Sequence, residues 1–250
     1  MDRASRAWRE RARRVAERLG VDTELARVYE LFNRGARRDR LDNEHLRLLL
    51  AFSLSAESNC IDVGCHRGEV LREMIRLAPL GRHIAYEPVP ASYAELVTAF
   101  PDVDVRQAAA SNANGEAEFT LVRDLTSYSG LLERDYPRAV DLEKITVRTE
   151  TLDSGLPAGY VPRLIKIDVE GAERLVLEGA VETLRRHRPI VWFEHGAGGS
   201  ERYGTRPADV HRLLTDVGMR IFDADGNGPY SESAFEATFH EPMWNFVAHV

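Results

Sequence analysis

The eight residues from Ile61 to Gly68, I-D-V-G-C-H-R-G, restrict what this chain can fold into more than any other stretch. The apolar run over 59–63 reads as a short buried strand, Gly64 and Gly68 bracket a turn, and the periodicity from Glu69 to Ala78 predicts a helix. A strand, a glycine turn and a helix at the head of an α/β unit form a cradle for nucleotide-like cofactors. The acid at Asp62 discriminates among them. A dinucleotide sets its pyrophosphate against such a turn and the helix N-terminus, where a carboxylate would repel it. S-adenosylmethionine (SAM) offers cationic ammonium and sulfonium groups instead, so Asp62 favours SAM over NAD. The spacing also departs from the dinucleotide pattern G-x-G-x-x-G. An ordinary buried strand ending in a glycine turn is the bland alternative, and it leaves a buried acid with no partner.

A second acid points the same way. Ile84-Ala85-Tyr86-Glu87-Pro88 reads as the next parallel strand, with Glu87 at its C-terminal tip, nineteen residues beyond Gly68. An acid at that distance binds ribose hydroxyls. Pro88 ends the strand. The candidate cofactor-binding residues are Asp62, Gly64, Cys65, His66, Gly68, Glu87 and Pro88, with Gln107 and Ala108 beyond the following strand.

From Asn59 onward strands and helices alternate, which predicts an α/β fold with a doubly wound, mostly parallel seven-stranded sheet. The strands fall at 59–63, 83–87, 103–107, 163–168, 189–194, 219–223 and 244–249, and the helices between them at 67–78, 90–100, 172–187 and 207–217. Two further strands, 116–122 and 144–150, alternate like a half-exposed pair and form a small β insertion. The segment between them contains Thr126-Ser127-Tyr128-Ser129-Gly130 and is a candidate substrate lid. Residues 1–55 read as an N-terminal helical extension to the domain at 56–250. Ala4, Trp8, Ala12, Val15 and Leu19 form its first apolar stripe; Asp22 can cap a second helix ending at Gly35, and a third covers Asp42 to Leu54. Such an extension serves as a cap on the core, a substrate lid or a homodimer surface.

Charge and cysteines narrow the function classes. A formal net charge of −7 argues against a nucleic-acid partner. Cys60 and Cys65 are the only cysteines, and their placement suits neither a disulfide framework nor a zinc site. Reduced thiols imply a cytoplasmic protein. No run of about eighteen apolar residues suggests a membrane span. The Arg- and Ala-rich start resembles a transit peptide only faintly, because Asp2, Glu10 and Glu17 interrupt it.

A second constellation lies in Leu164–Glu173, L-I-K-I-D-V-E-G-A-E. Alternation puts Lys166 and Asp168 on one side of a strand and Ile165 and Ile167 on the other. The next strand ends in Glu194 and His195. Adjacent parallel strands would bring Asp168, Glu194 and His195 together, where they could hold a hard divalent cation such as Mg²⁺. A metal-free alternative makes His195 a general base, oriented by Lys166 or Asp168. The candidate catalytic residues are therefore Lys166, Asp168 and His195. The plain alternative has Glu170 and Glu173 capping the helix start and His195 on the surface.

Taken in order, I-D-V-G-x-x-x-G, the Glu87-Pro88 strand end, Ala109-Ala110-Ser111-Asn112 with Gly115, Ala117 and Phe119, Thr151-Leu152-Asp153, and I-K-I-D-V-E-G-A-E resemble the FkbM family of SAM-dependent methyltransferases. The last element is the most specific. The resemblance covers about 59–195. It implies a class I methyltransferase sheet, SAM as cofactor, and O-methylation of a natural-product or sugar hydroxyl, so the expected partner is a small-molecule acceptor such as a sugar, glycoside or polyketide; the charge and the lack of an apolar span add the expectation of no nucleic-acid or membrane partner. It matches Asp62, Gly64 and Gly68 to the cofactor turn and Glu87 to the ribose acid. Cys65-His66-Arg67 depart from the Ala-Asn-x more usual there. Two other classes stay open: an NAD-dependent oxidoreductase, and a non-catalytic SAM-binding or scaffold protein.

Overall fold

The computed structural model describes residues 34–134, 136 and 139–250. The stripe predicted over residues 4–19 and most of the helix predicted to end at Gly35 lie outside the described residues. The chain divides into two compact units, Met1–Glu44 and His45–Val250. Helix α1 (Arg34–Ser53) begins earlier than the predicted Asp42. Pairs at i,i+4, Arg38–Asp42 and Arg40–Glu44, both 2.6 Å, support its first turns.

The second unit contains the sheets. Its strands are β1 (Asn59–Val63), β2 (Ile84–Tyr86), β3 (Asp104–Arg106), β4 (Ala109–Ala110), β5 (Gly115–Val122), β6 (Leu142–Glu150), β7 (Pro162–Ile167), β8 (Ile190–Glu194), β9 (Arg220–Asp223) and β10 (Asn245–His249). Seven form one sheet in the order β3-β2-β1-β7-β8-β10-β9. The first five run parallel, and β10 lies antiparallel between β8 and β9. The predicted α/β fold with a mostly parallel seven-stranded sheet is thus present. The chain steps outward from β1 to β3, then returns to the other side of β1 as β7. That reversal opens a crevice at the carboxyl ends of β1 and β7, where ligands bind in open α/β sheets.

The sheet is buried on both faces, which is why its strands read as nearly continuous apolar runs. Ile61, Val63, Ile165, Ile167, Val191 and Phe193 belong to the main core. Cys60, Leu164 and Trp192 belong to a second cluster with Leu46 and Leu50 of α1 and Met74 of α2 (Glu69–Leu77). Burying a leucine such as Leu50, 1 % exposed, contributes about 1.5–3 kcal/mol.

The helix α3 (Pro90–Ala99) follows β2 as expected. The helix predicted over 172–187 is broken into α5 (Glu173–Glu178) and α6 (Val181–His187), after the short α4 (Leu152–Gly155). A Cβ on Gly179 would lie 2.0 Å from the Ser111 carbonyl oxygen, so the chain passes too close to that loop for a side chain. Asp153 caps the second piece, accepting from Glu182 N and Thr183 N at 3.0 and 2.8 Å, a contact worth about 1 kcal/mol. This explains the Thr151-Leu152-Asp153 motif structurally. Helices α7 (Pro207–Asp216) and α8 (Glu232–Ala237) complete the unit; α8 and β4 were not anticipated. Strands β5 and β6 pair antiparallel, as the alternation predicted, and β4 adds to β6 to make a three-stranded sheet.

Candidate active site

The glycine turn is shaped by close approach. Gly64, His66 and Gly68 all take left-handed backbone, with φ of 75°, 48° and 71°. A Cβ on Gly64 would stand 1.9 Å from the Asp168 carbonyl oxygen, and one on Gly68 2.5 Å from Phe100 and 2.9 Å from Leu96. The N–H groups of Gly64 and Cys65 both donate to Tyr86 O, at 3.0 and 3.3 Å. The turn is therefore stitched to the ends of β2 and β7, and only glycine meets both demands at position 64.

Asp62 and Lys166 are register partners on β1 and β7. Lys166 Nζ lies 3.3 Å from Asp62 Oδ1 and 3.4 Å from Asp168 Oδ2, and it donates to Gly64 O at 2.9 Å. Burial alone would lower the Lys166 ammonium, but Asp62 and Asp168 more than offset it and hold it above its ordinary value. Burial pushes the Asp62 carboxyl up, against the pull of Lys166. Neither Asp62 oxygen accepts a well-formed hydrogen bond among the described residues. A buried acceptor left in that state fits a cationic or hydrogen-bond-donating ligand at the turn.

Glu87, 5 % exposed, sits at the tip of β2. Its Oε2 accepts from His66 N and its Oε1 from Val89 N, both at 2.9 Å. Burial raises its carboxyl to about 7 despite those bonds. Each oxygen retains a lone pair for a further donor. Pro88 is half-buried beside it, Gln107 is exposed, and Ala108 is fully buried in the main core. Cys65 is a buried free thiol within the turn, and Cys60 one behind it, pushed up to about 12 by burial.

The acceptor side is built differently from the sequence expectation. Asp168 and Glu194 do come together: burial, then the charges of Asp168 and Glu173, push the half-buried Glu194 carboxyl well above its usual range. His195 does not join them. Consecutive strand residues face opposite sides, and His195 follows Phe193 to the far face. There its ring lies against Phe235 and Phe239, with centroids 5.2 and 5.1 Å away, and Nδ1 is 3.2 Å from Ser200 Oγ. Burial lowers it to about 4, with no carboxylate beside it to counter the effect. Among the described residues, Asp168, Glu194 and His195 do not bring three ligand atoms within 4.8 Å of one another. The expected three-ligand convergence is thus corrected to a pair of carboxylates. Lys166 and Asp168 share a side, as alternation required.

Glu173 folds back over its own helix start. Its Oε1 accepts from Val169 N and Gly171 N at 3.0 and 3.1 Å, and burial raises it to about 7. Glu170, in left-handed backbone at φ 58°, ion-pairs with Arg134 from the β5–β6 loop. The same loop places Thr126 Oγ1 2.9 Å from His66 Nε2 and donates Leu132 N to Tyr203 OH at 3.0 Å. The loop thus contacts the segments that follow β1, β7 and β8. The sequence marked it as a candidate lid, but Arg134 and Tyr203 carried no local signal: Arg134 lies in an irregular segment and Tyr203 ends a four-residue 3-10 turn, Ser200–Tyr203, and only the fold brings them to this edge.

No helix among the described residues is long and apolar enough to cross a membrane. Residues 62–221 match the family described as the methyltransferase FkbM domain. Among solved structures, a methyltransferase FkbM from Methylobacillus flagellatus KT is 16 % identical with a TM-score of 0.51, covering 78 % of this chain and 44 % of that one. The chain therefore spans less than half the length of that relative. A precorrin-6y C5,15-methyltransferase from Geobacter metallireducens GS-15 is 15 % identical with a TM-score of 0.45, covering 82 % and 88 % of the two chains. No curated protein matches the sequence significantly.

Proposed function

The chain belongs to the FkbM family of methyltransferases, and on that footing we propose that it moves the methyl group of SAM to a hydroxyl of a sugar, glycoside or polyketide. The observation that carries the SAM assignment is Asp62, buried at the glycine turn beside the Lys166 ammonium at 3.3 Å, with neither carboxylate oxygen in a well-formed hydrogen bond and Glu87 one strand away. Asp62, Gly64, Cys65, His66, Gly68, Glu87, Pro88, Gln107 and Ala108 would hold the cofactor. SAM supplies an activated methyl on a sulfonium. An NAD pyrophosphate would meet the Asp62 charge instead.

Asp168 is the group best placed to act on an acceptor. An alcohol is a poor nucleophile at neutral pH and needs its proton removed or its oxygen polarised. Asp168 is half-buried at the crevice, fixed by Lys166 at 3.4 Å, and beside a carboxyl, Glu194, that burial and then the Asp168 charge drive toward the protonated form. A carboxylate beside a carboxylic acid can accept one proton while the neighbour donates a hydrogen bond to the acceptor. The same repulsion favours a second reading, in which the two carboxylates hold Mg²⁺ or a similar cation that binds the hydroxyl. The experiment is methyl transfer from isotopically labelled SAM to a panel of glycosides and polyketide alcohols, read by mass spectrometry. Labelled ether products support the reading; labelled N-methyl or C-methyl products, or no SAM binding, contradict it.

A further inference from the structure

His66 serves two parts of the site at once. Its main-chain N–H holds Glu87 Oε2 at 2.9 Å, and its Nε2 reaches Thr126 Oγ1 at 2.9 Å. It does both because it takes left-handed backbone, φ 48°, between two glycines that do the same. That conformation is uncommon for a residue with a Cβ and persists where the surroundings impose it. Arg67, Glu69, Lys166 and Asp168 supply the charges around the half-buried imidazole. Thr126 opens a 3-10 turn, Thr126–Tyr128, that is itself well anchored on its own sheet. Thr120 and Gly130 exchange main-chain hydrogen bonds of 2.8 and 3.1 Å, and Val122 N donates to Ser129 Oγ at 2.9 Å. Among the described residues, the His66–Thr126 hydrogen bond joins this loop to the glycine turn.

We infer that His66 is a positioning residue that couples cofactor binding to ordering of the loop over the acceptor side. The inference rests on the SAM reading of the turn. A ligand that fixes Gly64–Gly68 and Glu87 also fixes the His66 backbone, and with it the imidazole that Thr126 needs. Linkage makes the effect reciprocal: a loop held at Thr126 tightens the cofactor by the same factor.

Hydrogen exchange of the full chain with and without S-adenosylhomocysteine (SAH) tests this. In the wild type, SAH should slow amide exchange across 123–134 by roughly five-fold or more, the lower end of ordinary coupling. Thr126→Val should still bind SAH and lose that slowing; His66→Ala, which also removes a cofactor-side residue, should bind SAH more weakly and, at saturating SAH, lose the slowing too. His66→Asn and Thr126→Ser, which keep a hydrogen-bonding partner, should recover part of it. The double variant His66→Ala/Thr126→Val should be no worse than either single one. Undiminished slowing in both single variants overturns the coupling. Loss of SAH binding in His66→Ala with wild-type loop behaviour in Thr126→Val also overturns it, leaving a plain cofactor contact. Should His66→Ala fail to fold, Thr126→Val carries the test. Absence of SAH binding by the wild type overturns both this and the SAM reading; SAH binding with no effect on the loop overturns the coupling alone.

Discussion

Asp62 and Lys166 face each other in register on the two central strands, and their charged groups meet at 3.3 Å with side chains only 1 % and 8 % exposed. Removing one partner of a buried pair leaves the other uncompensated, which costs about 3–5 kcal/mol, whereas replacing both by apolar residues is often neutral. Asp62→Leu and Lys166→Met should each lower the denaturant midpoint sharply, and the double variant should regain much of the stability while losing the cofactor. A double variant no more stable than the singles would mean that the pair is not the unit of stability.

The two glycines of the turn should differ in tolerance. At Gly64 a Cβ meets backbone, the Asp168 carbonyl oxygen at 1.9 Å, whereas at Gly68 it meets the side chains of Phe100 and Leu96. Backbone cannot yield as side chains can, and both positions also carry the left-handed penalty of about 1 kcal/mol. Gly64→Ala should abolish SAH binding and lower the melting temperature more than Gly68→Ala. Equal effects in calorimetry and thermal melts would contradict the close approach at Gly64.

His195 should shape the acid limb of stability rather than turnover. Unfolded, it takes up a proton near pH 6.5; folded, burial delays this to about pH 4. Between those values only the unfolded chain gains the proton, so stability falls as pH drops through that window, by up to about 3 kcal/mol. Glu87 and Glu173, raised from 4.5 to about 7, act oppositely: their contribution is complete below about pH 4.5 and lost as pH rises through 7. His195→Phe, which suits the ring contacts with Phe235 and Phe239, should retain turnover and move the stability gap between pH 6.5 and pH 4 in favour of pH 4 relative to the wild type. An unchanged gap, or a collapse of turnover at neutral pH, would contradict the buried, non-reacting role.

Asp168 should matter to chemistry more than to cofactor affinity. Asp168→Asn removes the proton acceptor while keeping the shape, and general-base losses run to about 10²–10⁴-fold. We expect kcat to fall by at least about 10²-fold with SAH affinity nearly unchanged. EDTA then separates the two readings of the Asp168–Glu194 pair: turnover abolished and restored by Mg²⁺ assigns a cation, and unaffected turnover assigns a shared proton.

Much of this architecture was legible because it is local. The strand–turn–helix at 59–77 and the alternation that puts Lys166 beside Asp168 follow from periods of two and 3.6 and from glycine placement. Asp62 stood out because an acid inside an apolar strand demands a partner, although the partner, Lys166, lies 104 residues away and register alone reveals it. The misreadings had separate causes. The helix break at Gly179 depends on the Ser111 loop packed against it. The placement of His195 was decided by one step of strand alternation, which sends it to the far face from Glu194. Arg134 lies in an irregular segment and Tyr203 in a single 3-10 turn, both too short for sequence to show a period.

The cradle at Asp62 and Glu87 should accept SAM rather than a dinucleotide, and isothermal calorimetry of the full chain tests this directly. The wild type should bind SAH at one saturable site and show no heat with NAD. Glu87→Ala should weaken SAH at least about tenfold, the loss of one charge-assisted hydrogen bond worth about 1.5–3 kcal/mol. Tight NAD binding with no SAM or SAH binding would contradict the account.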